Sequence, residues 1–202
     1  MTRRKGWPRS DNYYPSVKKV AESQAMLRFD VHEVSDDRVG AFLAVVGGLA
    51  EGADTPFVRL RLQADPVAQM LISTGRATDY GLREMILTSE TLRNALPELG
   101  VRSSLDVNIN WAPWNSGFAI AGDLAESMNT HLSDAESMQL SNDFVLAVTG
   151  GRYSDFEMHK TYYPWSPFWD QDHDGAAGMG STTWLMLDRR NGDVSCLFSR
   201  FV

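Results

Sequence analysis

The segment Tyr162-Tyr-Pro-Trp-Ser-Pro-Phe-Trp-Asp-Gln-Asp-His-Asp-Gly175 holds the densest group of residues able to do chemistry in this 202-residue chain. Asp170, Asp172 and Asp174, with Gly175 behind them, match the opening of a calcium loop. There, alternate carboxylates wrap a hard cation and glycine permits the sharp turn. At the twelfth position, where such a loop has a bidentate glutamate, this chain has Ser181. The flanks read as an aromatic loop and a strand, not as two helices. The expectation is an acidic loop with no cofactor. The alternative is calcium on Asp170, Asp172 and Asp174, which makes the chain a calcium-stabilised structural or assembly protein.

The same acids allow a hydrolase reading, metal-assisted or carboxylate-based, with one acid protonated and one ionised beside a sugar stacked on Trp165, Phe168 or Trp169. Glu157 and His159 stand two apart on the preceding strand, so their side chains share a face and can join that group. Nucleophile motifs are absent: there is no Gly-x-Ser-x-Gly, Walker loop, dinucleotide fingerprint or Cys/His zinc spacing. Cys196 alternates with Val194 and Phe198 and reads as a small core residue. No residue is assigned as catalytic. Aromatics beside acids near turns are the composition of a protein-binding hot spot, so Trp114, Trp165, Phe168, Trp169, Asp170, Asp172 and Asp174 are the expected partner-binding residues.

Charge narrows the partner. The net charge is −7, yet residues 1–19 hold six basic groups against one acid, or +5, leaving −12 for the rest. Residues 103–151 contain six acids and no Lys or Arg. Such a body repels nucleic-acid phosphates and steers a basic protein towards itself. The basic stretch also carries Trp7, Tyr13 and Tyr14, so residues 1–24 read as an arm that packs on the body or forms a homodimer with a second subunit. Residues 25–202 read as one domain.

Composition excludes other classes. With 43% hydrophobic, 10% aromatic and 22% charged residues, the chain has the material for a globular core. The longest apolar stretch, Val39 to Ala50, is too short to span a bilayer, and the basic start has no apolar segment behind it to make a secretory signal. A single cysteine fits a reducing compartment, and a cytoplasmic location is expected.

The elements that must position these residues are strands at Met26–Val34, Phe57–Gln63 and Ser104–Trp111, from apolar–polar alternation. Helices open at Ser35-Asp36-Asp37, at Asp65-Pro66, and at the capping box Ser133-Asp-Ala-Glu136. Residues 78–96 suit a helix, or a short strand before a helix from Ser89. Phe118–Ala121 reads as a strand in a hairpin, and Phe144–Thr149 as a buried strand paired with Phe156–Tyr163. Thr182–Asp188 and Val194–Phe201 form a hairpin about Asn191-Gly192. The sum is α+β, a mainly antiparallel sheet with helices packed on one face.

Trp165-Ser-Pro-Phe-Trp169, Asp174-Gly175, Trp184-Leu-Met-Leu-Asp188 and Gly192-Asp-Val194 together resemble the C-terminal part of the SUKH superfamily. Leu140-Ser-Asn-Asp-Phe144 and Gly150-Gly151 fall where that family has a Leu-Pro…Tyr/Phe segment and an Asn-Gly-Gly turn. The resemblance covers about residues 140–194 and does not extend to residues 1–130. It implies an immunity protein, which neutralises a toxin by binding without catalysis. A non-enzymatic module that binds a basic toxin or nuclease is therefore the expected function.

Overall fold

The structure is a computed structural model that describes residues 14–49, 57–96, 111–114, 117–129, 131–161 and 181–200. The first half runs α1 (Val17–Met26), β1 (Arg28–Val31), α2 (Asp37–Leu49), β2 (Phe57–Gln63), α3 (Pro66–Ser73), α4 (Leu82–Leu87) and α5 (Glu90–Ala95). The second runs β3 (Trp111–Trp114), α6 (Gly117–Met128), α7 (Asp134–Thr149), β4 (Phe156–Thr161), β5 (Ser181–Asp188) and β6 (Asp193–Arg200). The strands form one sheet in the order β1-β2-β6-β5-β4-β3, antiparallel at every pairing.

The antiparallel α+β architecture is as expected, but helices cover both faces of the sheet, not one. Val58, Leu60, Leu62, Leu185, Leu187, Val194, Cys196 and Phe198 share a core with α3, α4 and α5, and Val20 of α1 packs against it. On the other face, Phe57, Phe156, Met158, Trp184, Met186 and Leu197 pack against α2, α6 and α7. The central strands show why. Thr183 to Leu187 are buried without interruption, whereas a strand with one wet face alternates.

Two segments read as strands are helices. Phe144–Thr149 is the end of α7, and Phe118–Ala121 lies in α6. Ser133 launches α7 through a capping box in which its Oγ accepts the Glu136 N–H and the Glu136 carboxylate accepts the Ser133 N–H. Ser137, Ser141, Phe144, Val145 and Val148 then recur on one helical face, and Gly150, at φ +60°, closes the helix in the left-handed region. Since no strand exists at 144–149, β4 pairs with β3 and β5. The predicted strand at Ser104–Trp111 lies outside the described residues except for Trp111, which opens β3.

The strand read at Met26–Val34 is shorter, Arg28–Val31, because Met26 ends α1, and Val31 is exposed; the capping signals hold. Asp65 caps α3 with its carboxylate on the Ala68 N–H and Pro66 at the first turn. That carboxylate also accepts the Ser23 hydroxyl at 2.6 Å, which leaves the buried Tyr80 hydroxyl to donate to Ser23 at 2.9 Å. These bonds tie α1 to α3 and to the turn before α4, so residues 17–26 are held against the body. Residues 78–96 hold two short helices, α4 and α5, with Ser89 capping the second.

Helix α2 starts one residue later than its sequence suggests, with Asp36 as the cap. Its carboxylate accepts the Arg38 N–H at 2.9 Å and two guanidinium N–H groups at 3.0 and 2.7 Å. The Arg38 side chain, followed by the backbone N–H, holds the carboxyl down to about 2. A carboxyl depressed in the folded state stabilises it above the ordinary pKa and stops doing so as pH falls through the folded value. Asp36 is thus expected to support α2 fully above about pH 4 and to lose that effect between about pH 4 and 2. Carboxyl NMR titration should give a midpoint near 2 for Asp36, and Arg38→Ala should raise it part of the way towards the ordinary value, because the backbone N–H at position 38 still donates to the carboxylate.

Candidate recognition surface

Most residues singled out for chemistry, Trp165, Phe168, Trp169, Asp170, Asp172 and Asp174, lie outside the described residues. Trp114 ends β3, in register with Met158 of β4. Glu157 and His159 are brought together: the imidazole Nε2 lies 2.8 Å from a Glu157 carboxylate oxygen. The two side chains are 18% and 12% exposed, and the second Glu157 oxygen, Oε2, is buried with no partner among the described residues. The pair stands beside Leu185 and Leu187 in register, on the sheet face away from α6 and α7. A carboxylate so placed fixes the orientation of an imidazole. Among the described residues no group of three or more His, Cys, Asp or Glu side chains is arranged to hold a metal. Cys196 is fully buried in the core, and burial pushes its thiol pKa up, away from the reactive thiolate.

The cation-free interval is where charge and fold coincide. Its described part is β3 followed by α6 and α7, which pack together over the sheet, with α2 beside α7. Asp123 is matched internally by an ion pair with Lys160, whose ammonium also lies 4.7 Å from the Trp184 ring centroid. Glu126, Asp134 and Glu136 are exposed, and Asp143 accepts the Gln139 amide at 2.8 Å. The Ser133 hydroxyl, then its N–H, holds Glu136 below its ordinary pKa, so it stays ionised. Met138 and Leu146, 42% and 39% exposed, lie on α7, which also carries Asp134, Glu136 and Asp143. The layer thus presents negative charge together with exposed apolar side chains, the mixture that suits docking of a basic protein surface.

At the edge of this layer lies an open groove of about 500 Å3 between the β1–α2 connection, the first turns of α2 and the start of β2. Val34, Val39, Leu43 and Phe57 supply its apolar lining; Glu33, Asp36, Asp37, His32 and Arg59 supply its polar lining. Arg59 and Arg61, the polar positions in the alternation of β2, face the α2–α6–α7 side and meet Asp193 of β6. The Arg59 NH2 lies 3.4 Å from it and the Arg61 Nε 3.0 Å. Asp193 is 4% exposed, and Arg59 is buried to 17% because its face of the sheet is covered. The Arg59 Nε is buried with no acceptor among the described residues. No signal within β2 alone marks this cluster, since its carboxylate comes from a strand over 130 residues later.

Among the described residues no helix is long and apolar enough to cross a membrane. Compared with known proteins, the chain matches no family model and no curated protein.

Proposed function

We propose that this chain is a non-enzymatic protein-binding module whose acidic helical layer captures a basic protein, in the manner of a cytoplasmic immunity protein that neutralises a toxin or nuclease. The observation that carries this reading is the α6–α7 layer. It belongs to a 49-residue interval with no Lys or Arg, and it exposes Met138 and Leu146 on the same layer as Glu126, Asp134 and Glu136. Negative potential over one face speeds encounter with a basic partner, and apolar side chains within it supply short-range contact. The resemblance of residues 140–194 to SUKH immunity proteins supports the same reading.

Co-expression with the product of an adjacent gene tests it. A basic toxin or nuclease should co-purify with the chain and lose its activity. Glu126→Lys with Asp134→Asn should slow association several-fold at low salt, with the melting temperature little changed, because both side chains are exposed and the Ser133–Glu136 capping box stays intact. Absence of any complex, together with a measurable turnover by the chain itself, would overturn the proposal.

The Glu157–His159 hydrogen bond favours a second reading, a hydrolase in which His159 is the general base. Hydrolysis that His159→Ala abolishes in a still-folded chain would establish that reading in place of the first.

A further inference from the structure

We draw no further inference here: the strongest candidate, the outward face of α2, where Gly40, Ala41, Ala44, Gly47 and Gly48 form an exposed, charge-free stripe of small residues, carries nothing because nothing among the described residues shows what covers it.

Discussion

Replacing Asp188 with alanine is expected to cost about 3–5 kcal/mol, the largest loss from any polar side chain described here. The carboxylate is 0% exposed and ends β5 at the turn into β6. It accepts the backbone N–H of Arg190 at 2.9 Å and of Asn191 at 3.2 Å, the Asn191 side-chain amide at 3.0 Å, and the Arg152 guanidinium at 2.8 Å. Alanine leaves several of these donors without an acceptor, and each buried orphan costs about 1–3 kcal/mol. Arg152 has a second carboxylate, Asp155, at 3.6 Å, so its charge is not stranded and the total stays short of a simple sum. Asp188→Asn keeps the volume and one acceptor oxygen but turns an N–H2 towards donors, so about 2–4 kcal/mol is expected. Urea unfolding should show both as a lower midpoint with an unchanged slope. A loss under about 1 kcal/mol for the alanine variant would mean that the turn does not depend on this carboxylate.

The turn also shows how a correct hairpin can conceal its main determinant. Asn191-Gly192 marks the reversal, and Gly192 takes the positive φ of +73° that glycine tolerates best. The connection is nevertheless four residues long, Arg189 to Gly192, with the Gly192 N–H donating to the Asp188 carbonyl at 2.8 Å. Asp188 and Asp193 end and begin their strands on the same sheet face. Arginines from other parts of the chain balance them: Arg152 on the first, Arg59 and Arg61 on the second. From sequence each acid is an ordinary strand-end residue. Only the pairing of β2 with β6, which sets Arg61 opposite Asp193 and Arg59 opposite Ser195, shows why they are buried together.

What was legible followed the range of the signal. Caps act within four residues, so Asp65-Pro66, Ser89 and Ser133–Glu136 could be read directly and recur in the structure. The alternation of Phe57–Gln63 gave β2 with its true limits, but not that a second helical layer covers the Arg59 side. The uninterrupted apolar run Trp184-Leu-Met-Leu187 carried that information, since a strand buried on both faces has no reason to alternate. For the recognition surface, the missing cations of residues 103–151 were plain in the sequence, because charge needs no fold to be counted. The groove was not, because Glu33, Gly40 and Arg59 meet only when β1, β2 and α2 are assembled.

Phe144→Ala is expected to cost about 3–5 kcal/mol, and the contrast with its neighbour tests the helical reading of residues 144–149. Phe144 is fully buried, stacked on Phe42 of α2 with ring centroids 4.2 Å apart and meeting Phe57 of β2 edge-on at 5.7 Å. Truncation removes the ring from the junction of α7, α2 and the sheet, so the loss combines transfer, cavity and about 0.5–1.5 kcal/mol for each aromatic pair. The cavity can close only if α2 or α7 shifts, and the capping box and Gly150 fix both ends of α7. In a strand, Leu146 would share a face with Phe144 and Val145 would face away. In α7 the order differs: Phe144 and Val145 are both buried, and Leu146 is 39% exposed. Leu146→Ala is therefore expected to change stability by less than about 0.5 kcal/mol, and Val145→Ala by about 1–3 kcal/mol. Urea denaturation of the three variants measures this. The order Phe144, Val145, Leu146 supports the helix, whereas a Leu146 cost equal to that of Phe144 would restore the strand.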